Sequence, residues 1–286
     1  MNLEGLIKPQ GNLEGNKKNI DEKINVEGNG VILLTGPSGC GKGEIAKALC
    51  TFLSIPTEMH LSMGEILRKT IDRAKKDNGF KNTLAEKYKI SDAISIFKKS
   101  ENKSEVINKA QKYRQEIISF MGGKNNFVSQ FHWLEFCVAN GLLVPDEWTE
   151  KIMDALFENT PELNNGMFIL DGYPRTVEAA DSLLSTFKRL DMPIVKVLHL
   201  FITKEEMIHR ALNRKRVDDT EESLEKRYQF YIEKVQPCID YLKRRLGSKS
   251  VALIDAHQPF YKQEGLLDIE ASIKEVFISV MSALTA

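Results

Sequence analysis

The feature that most restricts how this chain can fold is a glycine-rich turn between an apolar run and a helical pattern. The run at 30–36, GVILLTG, is rich in apolar and β-branched residues, which is typical of a buried central strand. Gly36, Gly41 and Lys42 follow the spacing Gly-x-x-x-x-Gly-Lys, and apolar residues then recur at helical spacing from 45 to 53. Backbone N–H groups that converge in such a turn, together with the helix N-terminus, attract anions. The sequence therefore predicts a loop that binds phosphate groups.

The two residues after Lys42 depart from the strict phosphate-loop pattern. Gly43 stands where that pattern has Ser or Thr, and Glu44 brings a carboxylate into the first turn of the helix. A carboxylate that pointed into the loop would repel phosphate, but acids are favoured in the first helical turn and can face solvent there. We expect Glu44 to point outward at some cost in phosphate affinity. Pairing with an arginine or with magnesium is the alternative.

The rest of the chain predicts the layers around this loop. Helical patterns alternate with four further strand patterns, at 56–62, 167–172, 195–202 and 250–256. One helix is predicted to begin at Asp146, another at Thr203 with Glu206 completing a capping box, and a long one carries apolar residues from 224 to 242. Five apolar strands separated by helices predict an α/β fold of the three-layer P-loop kind, with a five-stranded parallel sheet flanked by helices.

Two segments fall outside this alternation. Residues 1–29 are polar, and we interpret them as a flexible N-terminal tail in front of a core at 30–286. The stretch 72–140 is rich in Lys and Asn and has apolar residues at helical spacing. That pattern predicts an α-helical insertion whose lysines form a solvated face.

The overall charge argues against a broad attraction to polyanions. The 40 Lys and Arg residues balance the 40 Asp and Glu residues, so any anion site must be local and we expect no nucleic-acid partner. The sequence has no apolar run long enough to span a bilayer and no signal-peptide pattern. The 4 cysteines are scattered without a CxxC pair, which favours a reducing compartment over disulfides or zinc. We expect a soluble, cytoplasmic protein without a membrane partner, and we take it to be a monomer.

Six segments, taken in order, resemble one enzyme family. The loop GPSGCGKG at 36–43 is similar to that of adenylate kinases and related nucleoside monophosphate kinases, in which Gly and then Thr follow the lysine. Gly43 is therefore expected in that family, and Glu44 is the departure. The other matching segments are HLSMGEILR (60–68), NGLLVPDE (140–147), LDGYPRT (170–176), RALNRKRVDDTEESLEKR (210–227) and LIDAHQP (253–259). The resemblance extends over about 28–286, with one long interruption.

This resemblance implies an ATP-dependent phosphotransferase that passes the γ-phosphoryl group of ATP to a nucleoside monophosphate, with Mg²⁺ as cofactor and AMP as the first expectation. The residues implied for ATP are Gly36, Ser38, Gly39, Cys40, Gly41, Lys42, Gly43, Glu44, Arg210 and Arg214. Those implied for the monophosphate are Met63, Arg68, Leu143, Val144, Gly172 and Arg175. Those implied in catalysis are Lys42, Arg175, Arg210, Arg216 and Arg227. By the same resemblance, Asp171 would orient magnesium-bound water, and Asp218 and Asp219 would orient arginines and the metal shell.

Two departures from the family pattern leave the acceptor open, and a third concerns the exclusion of water. Four residues after Arg175, adenylate kinases carry Gln and kinases of UMP and CMP carry Asn to read the acceptor base, whereas this chain has Ala179. Met63 replaces a small residue or Thr. The lid near 213–217 is nearly absent, so we expect 72–140 to be an enlarged monophosphate-binding insertion that closes over the site instead.

Other functions stay open on the sequence alone. A kinase of UMP and CMP, or one with a broad choice of acceptors, is compatible with the loss of an amide at Ala179. Glu44, Ala179 and the insertion favour a weakly active, nucleotide-sensing protein, whereas the intact Lys42 and Asp171 argue against it. Binding of nucleic acid by the lysines of the insertion is disfavoured by the zero net charge.

Overall fold

The computed structural model describes most of the chain and divides it into two compact units. The first unit contains Met1–Met63 and Phe157–Ala286, and the second contains Gly64–Leu156. The residues that the structure describes are 7–8, 25–26, 28–123, 126–214, 220–262 and 265–285.

A parallel sheet forms the centre of the first unit. The described strands are, in chain order, β1 (Ile7–Lys8), β2 (Asn25–Val26), β3 (Gly30–Thr35), β4 (His60–Ser62), β5 (Met167–Asp171), β6 (Ile194–Phe201), β7 (Val251–Asp255), β8 (Phe260–Tyr261) and β9 (Leu267–Asp268). Five of them pair in the spatial order β4-β5-β3-β6-β7, and every neighbouring pair is parallel. The predicted five-stranded parallel sheet is therefore confirmed.

Strand β3 lies at the centre of the sheet because its side chains are apolar on both faces. All six of its residues are buried, and Ile32 and Leu34 have no exposed surface. The register places Leu34 beside Asp171 of β5 and Thr35 beside His199 of β6. The glycine-rich loop therefore begins where the carboxyl ends of three strands lie side by side, which is where open α/β sheets bind ligands.

The strand predicted at 56–62 is shorter than expected. Residues Thr57–Met59 form a 3₁₀ turn, and only His60–Ser62 pair with β5. Pro56 precedes the turn with a φ of -55°, and a proline at that position predisposes the chain to turn. The first half of that strand prediction is wrong for this reason.

Helices occupy most of the remaining chain. In chain order they are α1 (Lys42–Phe52), α2 (Met63–Lys76), α3 (Asn78–Lys87), α4 (Ser104–Lys112), α5 (Arg114–Phe120), α6 (Gln130–Ala139), α7 (Asp146–Glu158), α8 (Glu162–Asn165), α9 (Val177–Arg189), α10 (Lys204–Arg214), α11 (Glu221–Phe230), α12 (Gln236–Leu246) and α13 (Ile269–Thr285). The helices predicted to begin at Asp146 and after Thr203 are confirmed as α7 and α10. Helices α2 and α7 carry the chain from one unit into the other.

The core of the first unit joins the sheet to its helices. Apolar side chains of β3 and β6 pack with buried residues of α1, α10 and α13 in one cluster. Phe52 of α1 meets Phe277 of α13 edge to face, with ring centroids 5.6 Å apart. This packing holds the start of α1, and with it the glycine-rich loop, against the edge of the sheet.

The long helix predicted across 224–242 contains a wide turn. Between α11 and α12 the residues Tyr231–Val235 form a π-helical turn, and the chain stays helical on both sides. Pro237 follows this turn after one intervening residue, Gln236. A proline inside an α-helix clashes with the carbonyl group four residues earlier, and a wider turn relieves that clash.

The second unit is helical and includes the predicted insertion at 72–140. A buried polar network stabilises it: Gln130 Nε2 donates to Asn102 Oδ1 at 2.8 Å, and the Ser91 N–H donates to Gln130 Oε1 at 3.1 Å. The isolated buried amide of Gln130 would otherwise oppose folding, so these bonds help to fix how the helices pack.

Two small antiparallel ladders complete the described chain. β1 pairs with β2, and β8 pairs with β9. Apart from β1, β2 and residues 28–29, the segment interpreted as a flexible tail lies outside the described residues. Among the residues that the structure describes, no helix combines the length and apolarity that crossing a membrane requires.

Candidate active site

The glycine-rich loop adopts a backbone path that depends on its glycines. Gly36, Gly39 and Gly41 have φ angles of 146°, 79° and 87°, which other residues rarely adopt. A Cβ added to Gly36 would lie 2.2 Å from the carbonyl oxygen of Leu200 in β6. The loop is therefore pressed against the neighbouring strand, and its backbone N–H groups remain close to the start of α1.

Lys42 lies in the first turn of α1 with its side chain folded over the loop. Its Nζ donates to the carbonyl oxygens of Gly36 at 3.0 Å and Pro37 at 2.8 Å. Its third contact is the buried thiol of Cys40, whose Sγ is 3.5 Å away. The ammonium group is thus held at the loop, where it can exchange carbonyl partners for phosphate oxygens.

Glu44 points away from the loop, as the sequence predicts. Its Oε1 forms an ion pair with Lys47 Nζ at 3.0 Å, and the two side chains are 55% and 70% exposed. An exposed carboxylate in the first helical turn interacts favourably with the helix dipole and is screened by water. It therefore does not repel an anion bound in the loop strongly.

Asp171 ends β5 beside the loop with one oxygen unused. Its Oδ2 lies 3.6 Å from His60 Nε2, too far for a hydrogen bond, and its buried Oδ1 has no hydrogen-bond partner among the described residues. His60 Nε2 is buried without a hydrogen-bond partner in the same part of the structure. Buried polar atoms are rarely left unpaired, so both atoms are suited to a ligand, an ion or its water.

Two arginines lie close enough to affect one another. Burial lowers the pKa of Arg175, the charge of Asp171 raises it, and the charge of Arg227 lowers it. Arg175 Nε donates to the carbonyl oxygen of Gly172 at 2.7 Å, which leaves its terminal nitrogens for other partners. Two neighbouring guanidinium groups repel one another, and a phosphate bound near both would relieve that repulsion.

Helix α10 brings Arg210 close to Gly39 of the loop. A Cβ added to Gly39 would lie 3.6 Å from Arg210 Cβ and 3.4 Å from the Met207 carbonyl oxygen. The loop and this turn of α10 are therefore in contact through a position without a side chain. Lys42, Arg175, Arg210 and Arg227 all belong to the first unit, and cations of this kind can neutralise a multiply charged anion.

Several adenylate kinases match this chain over most of its length. A family model described as adenylate kinase matches residues 132–246. The adenylate kinase of Corynebacterium urealyticum is 28% identical over 215 residues, covering 75% of this chain and 87% of the relative. The adenylate kinase of Prochlorococcus marinus (strain MIT 9313) is 28% identical over 256 residues, covering 88% of this chain and 97% of the relative.

These matches agree in one family, that of the adenylate kinases, to which the chain is similar. The sequence resemblance is thereby confirmed, and the protein is a phosphotransferase. The geometry around the loop accords with this class, because phosphoryl transfer depends on cations placed about the phosphates.

The residues that the family resemblance implies for the monophosphate fall into two groups. In the first unit, Met63 is buried at the start of α2, while Gly172 and Arg175 follow β5. In the second unit, Arg68 is exposed on α2, and Leu143 and Val144 lie in the turn before α7. The Leu143 carbonyl oxygen accepts a bond of 3.1 Å from Lys109 Nζ.

The predicted lid near 213–217 is largely outside the described residues. Arg216, Asp218 and Asp219 lie there, so their predicted roles stay predictions. Arg214 is the last residue of α10, and the structure describes its backbone position.

Sequence reasoning missed a buried pair behind the loop. His199 Nε2 and the Tyr231 hydroxyl are 2.8 Å apart, and their rings are stacked with an interplanar angle of 1°. Burial and the charge of Lys42 lower the pKa of His199 to about 4, although Asp240 opposes the shift. No spacing in the sequence signals this pair, since the two residues come from β6 and from the π-helical turn.

Proposed function

We propose that this protein is an ATP-dependent nucleoside monophosphate kinase that transfers the γ-phosphoryl group of ATP to AMP. Nucleoside monophosphate kinase activity is supported by the similarity to adenylate kinases. The choice of AMP rests on the names of the relatives, which are adenylate kinases. The observation that carries the proposal is that Lys42 is held at the loop by two loop carbonyl groups, and the electrostatic influence of Arg227 on Arg175 supports it.

Each of these residues has a role that its position supports. The loop N–H groups and Lys42 would hold the β- and γ-phosphates of ATP, with Arg210 as a further contact. Arg175 and Arg227 would bind the acceptor phosphate and the group in transfer. Holding donor and acceptor phosphates in line, with their charge neutralised, supplies most of the acceleration in this class of reaction.

Magnesium fits this site as a cofactor held mainly by phosphate and water. Among the described residues there is no cluster of three or more His, Cys, Asp or Glu side chains able to hold a metal. Asp171 Oδ1 is buried beside the loop and has no hydrogen-bond partner in the part of the chain that the structure describes, which suits a carboxylate that accepts bonds from magnesium-bound water. Bound there, Mg²⁺ would neutralise charge on the β- and γ-phosphates.

A broader choice of acceptor is the second candidate, and Ala179 favours it. Ala179 has no exposed surface, and its N–H donates to Thr176 Oγ1 at 3.1 Å as part of the cap of α9. A methyl group cannot hydrogen-bond a base, and a site without that contact discriminates less between bases.

The test is the rate of ADP formation from ATP and magnesium, with AMP, CMP, UMP, GMP and dTMP supplied separately. We expect AMP to support turnover and Lys42→Ala to reduce it by about a hundredfold or more, because a cation at the transferring phosphates is lost. Lys47→Ala is the matched control, since Lys47 is an exposed lysine on the same helix that pairs with Glu44. It should leave turnover unchanged.

The other outcomes select between the alternatives. Similar rates with several monophosphates would replace AMP by a broad acceptor class. Absence of turnover with all of them, while ATP still binds, would contradict the kinase proposal and favour a nucleotide-sensing protein.

A further inference from the structure

Glu206 lies at the centre of a charged cluster that the sequence presents only as a helix cap. The sequence predicts that Glu206 completes a capping box with Thr203, and the Glu206 N–H does donate to Thr203 Oγ1 at 3.2 Å. Its carboxylate contacts two other side chains instead. Glu206 Oε1 accepts a hydrogen bond from Arg210 Nε, one turn later on α10, and lies 3.3 Å from His257 Nδ1 in the turn after β7.

The geometry of this bond leaves Arg210 able to bind phosphate. A guanidinium group has five N–H donors, and the bond to Glu206 uses only the one on Nε. The two terminal nitrogens are not used by this contact. Arg210 Cβ is also next to the loop, at 3.6 Å from a Cβ placed on Gly39.

The charged cluster is partly buried, so water screens the attraction between its charges only in part. The Glu206 side chain is 19% exposed and that of Arg210 is 32% exposed. Partial burial opposes ionisation of Glu206, but the hydrogen bond and charge of Arg210 and the charge of His257 outweigh it and lower the pKa of Glu206. The contact is therefore a charge-assisted hydrogen bond at neutral pH, stronger than one between neutral groups.

We propose that Glu206 is a positioning residue for the donor site, which fixes the guanidinium of Arg210 toward the phosphates of ATP. His257 completes the anchor by binding the same carboxylate oxygen from the turn after β7. The inference rests on the proposed function in one respect, namely that Arg210 contacts the donor phosphates. Loss of Glu206 would leave Arg210 charged but free to adopt other rotamers, so part of its binding energy would go into ordering it.

The test compares Glu206→Ala and Glu206→Gln with Glu205→Ala. Glu205 is a matched control because it is an exposed acid in the same first turn of α10. Each substitution to Ala removes one charge from that turn, but only one removes the contact to Arg210. We would measure kcat, the KM for ATP and for AMP, the ATP affinity by calorimetry, and the melting temperature.

We expect Glu206→Ala to weaken ATP binding about tenfold, which corresponds to about 1.4 kcal/mol, with the KM for AMP unchanged. Glu206→Gln should recover most of the loss, because its amide oxygen can accept the bond from Arg210 Nε. Glu205→Ala should bind ATP like the wild type. A merely structural role would lower the melting temperature and disturb both KM values together, which contradicts the proposal.

A double-mutant cycle with Arg210→Ala decides whether Glu206 acts through that arginine. In the Arg210→Ala background, Glu206→Ala should weaken ATP binding by no more than about twofold, because the group it positions is gone. Losses that multiply would overturn the positioning role. If Arg210→Ala alone leaves ATP affinity unchanged, then the donor-site role of Arg210 is wrong and the proposal falls with it. If Lys42→Ala still abolishes turnover in that case, the kinase function itself stands.

Discussion

At the scale of single residues, the site contains polar atoms that the folded chain does not satisfy. Asp171 Oδ1, His60 Nε2 and His199 Nδ1 are buried without a hydrogen-bond partner among the described residues, and they lie on β5, β4 and β6. An unpaired buried polar group costs about 1–3 kcal/mol. A fourth such atom, Asn164 Oδ1, lies apart from the sheet in α8. Such costs are often found where the remaining partners are ligands, so the three atoms on the strands support a ligand site at the sheet.

The buried His199 makes the free energy of unfolding depend on pH in the acidic range. Its pKa is lowered from 6.5 to about 4, first by burial and then by Lys42, while Asp240 acts in the opposite direction. The unfolded chain therefore binds more protons between these values, and the free energy of unfolding falls as the pH falls through that window. Keeping His199 neutral in the folded state contributes about 3 kcal/mol to the free energy of unfolding. The whole of this contribution is present at pH values above the unfolded-state pKa.

Urea unfolding at successive pH values from neutral to about 4 would measure this contribution. We expect His199→Gln to flatten the acid decline by about 3 kcal/mol, because glutamine keeps a partner for the Tyr231 hydroxyl and does not titrate. His209→Gln is the control, since His209 is exposed on α10. Parallel stability curves for the wild type and His199→Gln would show that another group causes the acid sensitivity.

At the scale of elements, the phosphate loop is held in shape by the strand beside it. Gly36 combines a φ of 146° with a contact in which an added Cβ would be 2.2 Å from the Leu200 carbonyl oxygen and 2.8 Å from Cys40 Sγ. Gly43 lies in the first turn of α1, and a Cβ there would meet nothing within 4 Å. The two glycines therefore have different physical requirements although both belong to the loop motif.

Substitution by alanine separates these two requirements. Gly36→Ala should lower the free energy of unfolding by about 3 kcal/mol or more, since it adds both a disfavoured φ and a clash with β6. Gly43→Ala should change it by at most about 1 kcal/mol, in the stabilising direction, because alanine is the better helix former. Urea midpoints of both variants test this, and equal midpoints would contradict the steric argument.

Elements that depend on neighbouring residues in the sequence were predictable, and features that depend on contacts between distant residues were not. The buried run of β3 and the start of α10 follow from local patterns, and both were found as predicted. The π-helical turn at Tyr231–Val235 was not predicted, because helical periodicity changes little when one turn widens. The contact of Glu206 with His257 joins residues far apart in sequence, and no local pattern reveals it.

At the scale of the whole molecule, the zero net charge means that only the cations close to the loop attract an anionic substrate. The chain has as many acidic as basic residues, 40 of each, so the cations around the loop are not part of a general positive field. The described residues proposed for ATP, from Gly36 to Glu44 and at Arg210, all belong to the first compact unit. The second unit, Gly64–Leu156, contributes none of them.

This distribution predicts where ATP alone stabilises the protein. A ligand stabilises the segments whose folded form it binds, so amide hydrogen exchange should slow in the loop, α1 and α10 when ATP and magnesium are added without an acceptor. Exchange in the helical unit Gly64–Leu156 should stay unchanged. The Lys42→Ala variant should show little of this protection, because its lower affinity for ATP leaves a smaller fraction of the protein bound to ATP.

The contrary result would be informative in a specific way. If ATP alone slowed exchange in the helical unit as strongly as in the loop, then ATP would contact or order residues of 64–156, and the proposal that donor binding involves the first unit alone would be wrong. If protection appeared in the loop and persisted in Lys42→Ala, the loop N–H groups would hold ATP without the ammonium group. Because the first result is read from the amides of 64–156 and the second from the loop amides of Lys42→Ala, exchange experiments on the wild type and this variant distinguish them.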